Sequence, residues 1–124
     1  MMKKILVAED DKFLSNAFRL KLQKSGFEVK IANDGQEALN TANSFKPDLI
    51  LLDLMMPVKD GFVVLSEIKS NPQTKNIPVL IASNLGQKED IDRGISLGAI
   101  DFIVKSNLRL DELIQKIKSV LKVA

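Results

Sequence analysis

Four places in this sequence carry side chains able to do chemistry, and each adjoins a run of apolar residues. Glu9, Asp10 and Asp11 follow KILVA, Asp53 sits inside ILLDLMMP, Ser83 and Asn84 follow IPVLIA, and Lys105 and Ser106 follow IDFIV. Ionised aspartate is almost never fully buried without a partner, so Asp53 either ends a strand at a rim or is held there for a purpose. Carboxylates drawn from the first and third runs lie close together if those runs are neighbours. Like charges raise each other's pKa, and a divalent cation relieves the repulsion. A hard cation such as Mg2+ takes oxygen ligands and keeps several waters. In that arrangement Asp10 and Asp53 are direct ligands, Glu9 acts directly or through water, and a loop carbonyl after Asp53 assists. An aspartate carboxylate can also act as a nucleophile and form an aspartyl-phosphate. Lys105 would then give the phosphoryl oxygens a fixed positive charge, and the Ser83 hydroxyl a hydrogen bond. Phosphoryl transfer needs mainly positioning and charge stabilisation, and these groups provide both.

Each residue has a duller reading when taken singly. Glu9, Asp10 and Asp11 could simply cap a helix, since anions favour helix N-termini. Asp53 could be a solvated strand end, Ser83 loop surface, Lys105 a surface lysine, and Met55 and Met56 gap-fillers. Their joint occurrence at strand ends argues against this for Asp10, Asp53 and Lys105 above all.

Absences narrow the chemistry. The chain has no His, Cys, Tyr or Trp, so it cannot build a Ser-His-Asp triad, a thiolate nucleophile or a His-ligated metal site from its own residues. Its 124 residues fit one domain, 1–124, with no output domain expected. With 45% hydrophobic and 27% charged residues it can build a core and stay soluble. The net charge is +2, and the lysines are scattered along the sequence, so no nucleic-acid or anionic-membrane footprint is expected. The apolar runs are too short to span a bilayer. The N-terminus lacks a cleavage-type small-residue site, and a cytoplasmic setting is the expectation.

Five alternations of strand and helix must position the site. The expected strands are Lys4–Ala8, Phe27–Ala32, Lys46–Asp53, Ile77–Ser83 and Ile100–Lys105. Phe13, Ala17 and Leu20, with Leu14, Phe18 and Leu22, predict a first helix with one broad apolar face, ended by Gly26. Asp34 and Glu37 read as a capping box before Ala38, Leu39, Ala42 and Phe45. Phe62, Leu65 and Ile68 mark a third helix after the turn Pro57–Gly61. A weakly periodic fourth helix is expected over Gln87–Leu97, closed by Gly98. Leu110, Leu113, Ile114, Ile117, Val120 and Leu121 mark a fifth. The pattern predicts an α/β fold with a parallel sheet and helices on both faces, and ligands beyond the carboxyl ends of the strands.

The segments ILVAEDD, DLILLDLMMPVKDG, VLIAS and GAIDFIVK resemble, in order and spacing, the receiver domains of two-component response regulators. The resemblance covers essentially the whole chain and implies a flavodoxin-like (βα)5 sandwich with sheet order 2-1-3-4-5. It implies that Asp53 accepts a phosphoryl group from a partner histidine kinase or phosphotransfer protein, whose histidine this chain must borrow. It implies Mg2+ held by Asp10, Asp53 and the Met55 carbonyl, with Glu9 as second acid, and phosphoryl contacts from Ser83 and Lys105. Phe102 falls at the family's aromatic switch position, turning inward as Ser83 moves. A protein target is expected on the face of the fourth helix, fifth strand and fifth helix, with the chain a monomer or weak homodimer. Two positions depart from the family. Ser106 replaces a proline that often follows a cis bond, so a trans bond is expected, and Asn84 replaces a small residue and could crowd, contact or avoid the phosphoryl site. These departures keep open a docking module that is not phosphorylated. A flavin carrier is disfavoured by the acids after the first strand, and a haloacid-dehalogenase-type hydrolase by the lack of an acid two residues after Asp53.

Overall fold

The computed structural model describes residues 2–123. Five strands alternate with five helices: β1 Lys4–Ala8, α1 Lys12–Lys24, β2 Glu28–Ala32, α2 Gly35–Phe45, β3 Leu49–Leu52, α3 Gly61–Ser70, β4 Val79–Ser83, α4 Lys88–Ser96, β5 Asp101–Val104 and α5 Leu110–Leu121. All pair in parallel in the order β2-β1-β3-β4-β5. The chain leaves β1 for β2 on one side and returns to β3 on the other, which opens a crevice beyond the carboxyl ends of β1 and β3.

Side chains alternate across each strand, so the sheet feeds two cores. Leu6, Ala8, Ile50, Leu52, Val79 and Ile81 pack under α2 and α3. Ile5, Val7, Leu49, Leu51, Leu80 and Ala82 pack under α1 and α5 with Phe18, Leu22, Leu113 and Ile117. The central strands are apolar on both faces because both are covered.

Strand ends differ from the sequence expectation. β3 is only Leu49–Leu52, because Lys46 ends α2 in the left-handed region at φ 52 and Asp48 turns its carboxylate onto the Lys4 N–H at 2.8 Å. β4 begins at Val79, after Pro78, which has no N–H to give a ladder. Lys105 leaves β5 for a single 3-10 turn, Lys105–Asn107. No peptide bond among the described residues is cis, so the Lys105–Ser106 bond is trans as expected.

The face of α1 is narrower than the sequence implies. Phe18 and Leu22 are buried with Ser15, whereas Phe13 is 86% and Leu20 59% exposed. Leu14, Phe18 and Leu22 form the stripe that meets the sheet, and Phe13 and Leu20 lie off it. In α4 the one buried residue is Gly94. A Cβ there would stand 2.6 Å from Ile81 Cδ1 and 3.4 Å from Phe102 Cδ2. The helix therefore lies closely on β4 and β5 through a gap in its side chains, which explains its weak apolar period.

Candidate functional site

Register builds the site. Ala8 pairs with Leu52 across β1 and β3, so the next residues, Glu9 and Asp53, emerge side by side, and the Asp53 N–H closes on Ala8 O at 2.9 Å. Ser83 pairs with Val104, which delivers Lys105 beyond the end of β5. Glu9 and Asp53 are buried, at 2% and 5% exposure, while Asp10 is exposed. Carboxylate oxygens of Glu9, Asp10 and Asp53 all lie within 4.8 Å of one another.

Lys105 reaches into this cluster. Its Nζ donates to Asp53 Oδ2 at 3.0 Å and forms an ion pair with Glu9 Oε1. Asp53 Oδ1 accepts from the Met55 N–H at 3.2 Å, so both oxygens of Asp53 are engaged. Glu9 Oε2 accepts from the Asp11 N–H at 3.1 Å. Glu9 Oε1 is buried beside the lysine charge without an aligned hydrogen bond of its own. Burial pushes the Glu9 pKa up, with the Asp53 charge adding to it and Lys105 and the Asp11 N–H opposing. Burial alone would lower Lys105, but its close pairing with Glu9 and its hydrogen bond and ion pair with Asp53 prevail and hold its pKa above the ordinary lysine value.

The helix-cap reading of the acidic triplet holds for one member: Asp11 accepts from the Leu14 N–H at 3.1 Å and caps α1. Glu9 and Asp10 are left to the cluster. An all-oxygen donor set with one buried, unaligned carboxylate oxygen suits a hard divalent cation, so the residues present fit Mg2+.

The other expected residues separate into near and far. Ser83 is fully buried, and its Oγ accepts from the Leu85 N–H at 3.2 Å. Phe102 lies on the α4 side of the sheet, paired with Ile81 and packed against the core under α2 and α3. Met55 meets Asp53 through its main chain, with its side chain largely exposed. Asn84 and Ser106 are exposed, and neither donates to or accepts from the cluster.

Three further residues, to which the sequence assigns no role in the site, support it. Asn33 Nδ2 holds Glu9 O at 3.1 Å. Gly61 lies against the chain at Asp53, where a Cβ would be 2.4 Å from Asp53 O. Gly35 lies against the loop after β3, where a Cβ would be 2.1 Å from Lys59 O. The signal was present in the repeated Asp-Gly pair, at Asp34–Gly35 and Asp60–Gly61, which reads locally as a cap and a turn.

The response regulator receiver domain model matches residues 5–118. The chain belongs to that family. This receiver is 35% identical over 121 residues to the DNA-binding dual master transcriptional regulator RpaA of Synechocystis, covering 98% of this chain and 50% of the relative. It is 36% identical over 122 residues to the phosphate regulon transcriptional regulatory protein PhoB of Escherichia coli, covering 98% and 53%. The receiver thus spans about half the length of these curated relatives. Among solved structures, the Francisella response regulator 1452 receiver domain aligns at a TM-score of 0.89 with 35% identity, covering 97% of each chain. The chemotaxis response regulator CheY4 of Vibrio cholerae aligns at 0.89 with 30% identity, covering 97% of this chain and 99% of that one. The family is one of phosphorylatable two-component signalling domains. Among the described residues no helix is long and apolar enough to cross a membrane.

Proposed function

We propose that this receiver is a Mg2+-dependent phospho-acceptor switch with Asp53 as the acceptor. One observation carries the reading: a nearly buried carboxylate shares a lysine with a second buried acid, inside a three-carboxylate cluster at the sheet's carboxyl edge. Asp53 attacks the phosphorus of a phosphohistidine on a partner histidine kinase or phosphotransfer protein. The new bond is oxygen to phosphorus, the phosphorus–nitrogen bond breaks, and the imidazole leaves with its electron pair and takes up a proton. Lys105, released from Glu9, balances charge on the phosphoryl oxygens. Glu9, Asp10, Asp53 and the Met55 carbonyl are the groups that would hold Mg2+. When bound, the cation supplies charge stabilisation for the phosphoryl oxygens and relief of carboxylate repulsion.

Ser83 and Phe102 relay the state. Ser83 exchanges its local bond from the Leu85 N–H for one to the phosphoryl group, and Phe102 turns into the space beside it. Its ring adjoins Gly94 of α4, so the change reaches the α4–β5–α5 surface, where Ile95 and Ile100 are exposed. A target protein docks there, and the receiver has no turnover reaction of its own beyond gaining and losing the phosphoryl group. A cytoplasmic setting goes with a kinase donor. Beryllofluoride, a stable phosphoryl mimic, tests the reading. It should bind only with Mg2+ and shift the amide resonances of Ser83, Phe102 and α4. Binding that ignores Mg2+, or shifts that stop at the Asp53 loop, would contradict it.

A further inference from the structure

The loop from Leu54 to Asp60 brings the Met55 main chain to Asp53, and its shape is held from outside the site. Its tip is a γ-turn: the Lys59 N–H donates to Pro57 O at 2.8 Å, with Val58 between them at φ 71. That is the rarer, strained form of the turn, and a β-branched residue at positive φ is an outlier. Val58 is 76% exposed, so no packing of its side chain holds the conformation. What does hold it is the start of α2. The Gly35 N–H donates to Pro57 O at 3.1 Å, and the absent Gly35 side chain leaves room for the Lys59 main chain, whose O, Cβ and C would lie 2.1, 2.7 and 2.8 Å from a Cβ. At the other end the Gly61 N–H closes on Leu54 O at 2.8 Å. Asp34, immediately before Gly35, fixes the helix start by accepting from the Glu37 N–H at 2.8 Å.

We propose that Gly35 is a positioning residue for the cation end of the site. The first turn of α2 clamps the strained Pro57–Lys59 turn and so sets where the Met55 main chain stands relative to Asp53. The inference rests on the proposed Mg2+ site for its consequence, but the clamp itself is a matter of the contacts between α2 and the loop. A methyl group at residue 35 cannot be relieved by a rotamer change, because the nearest atom it meets is main-chain oxygen. The loop must move.

The test is Gly35→Ala, with melting temperature, amide hydrogen exchange of residues 54–60 without metal, and Mg2+ titration. The expected result is a folded variant whose loop amides exchange faster without metal. Its Mg2+ dissociation constant rises about tenfold or more, the usual scale for groups that orient a metal's ligands. The maximal phosphorylation rate at saturating Mg2+ changes far less than the Mg2+ requirement. A folded variant with wild-type loop exchange and wild-type Mg2+ affinity would overturn the proposal. If Gly35→Ala does not fold, the wild-type protein decides. Coupling is reciprocal, so Mg2+ should slow exchange of the Gly35 N–H, and unchanged exchange at saturating metal would overturn the clamp. Failure of Mg2+ to bind the wild-type chain would contradict the proposed function instead, and the metal-free exchange of the loop would still decide the clamp.

Discussion

Lys105 carries one positive charge against two buried carboxylates. It is shared between Glu9 and Asp53, and in the proposed transfer it leaves Glu9 to meet the phosphoryl group. Lys105→Ala should slow phosphoryl transfer about 10²–10³-fold, the cost of losing one fixed charge-stabilising group. It should do so with Mg2+ affinity equal to or higher than wild type, since the cation no longer competes with an ammonium for the same oxygens. Single-turnover phosphorylation combined with Mg2+ titration checks both. Val58 holds a positive φ in the loop after β3 with its side chain exposed. Strain at φ 71 is of the order of 1–3 kcal/mol for a non-glycine residue, and asparagine tolerates that region better. With no packing to lose, Val58→Asn should stabilise the protein by about 1 kcal/mol, read from urea unfolding. Nothing in the sequence distinguishes Val58 from an ordinary turn valine, because the contact on its turn comes from Gly35 at the start of α2, more than twenty residues upstream. Glu9 was legible as an acid of the cluster but not as the lysine's second partner, since that depends on the Ala8–Leu52 register.

At the scale of elements, α4 and α5 are tied to β5 by different means. Asp101 on β5 forms an ion pair with Lys116 on α5, and accepts from the Phe102 N–H at 2.7 Å. Burial alone would raise the Asp101 pKa, but those two bonds prevail and hold it below the usual aspartate value. A carboxylate whose folded pKa is depressed contributes stability above its unfolded pKa and loses it as pH falls through the folded value. Asp101→Asn should therefore lower the melting temperature near neutral pH, and the difference should shrink as pH falls below the ordinary aspartate range, as a thermal series in pH would show. The α4 contact is steric: Gly94→Val would drive methyl groups into Ile81 and the Phe102 ring, costing about 1–3 kcal/mol, as overpacking usually does. The five strands and five helices were legible because each apolar run has its own period and bounding Gly, Pro or Asp. Their ends were not. Ile77 and Pro78 continue the apolar run past the ladder, and Lys46 looks like strand while it terminates α2. The broad face expected of α1 fails at Phe13 and Leu20, because hydrophobicity alone does not say which side meets the sheet. α4 looked weak because its contact is a glycine, which leaves no apolar mark in the sequence.

Across the whole molecule, the fold sorts charge that is evenly mixed along the chain. The first turns of α2, α4 and α5 carry Glu37, Glu89, Asp90, Asp111 and Glu112, while the last turns of α1, α3 and α5 carry Lys21, Lys24, Lys69 and Lys118. Helices run opposite to the parallel strands, so these acids join Glu9, Asp10 and Asp53 at the site end, where they outnumber Lys12, Lys88, Lys105 and Arg109, and the named lysines lie at the other. Each placement also suits its helix dipole. A small anionic phosphodonor approaches against this field, so its phosphorylation rate should rise about two- to threefold as ionic strength goes from low to physiological, where screening is strong beyond about 8 Å. A kinetic salt series with one donor would show it, and a rate falling with salt would mean that the acidic end does not govern approach. The central claim, acceptance of a phosphoryl group on Asp53, is tested most directly by intact mass after incubation with acetyl phosphate, comparing the wild-type chain with Asp53→Asn. The expected result is a single phosphate adduct that requires Mg2+ and is absent in the variant. An adduct of equal yield in Asp53→Asn, or one formed equally well in excess chelator, would contradict it.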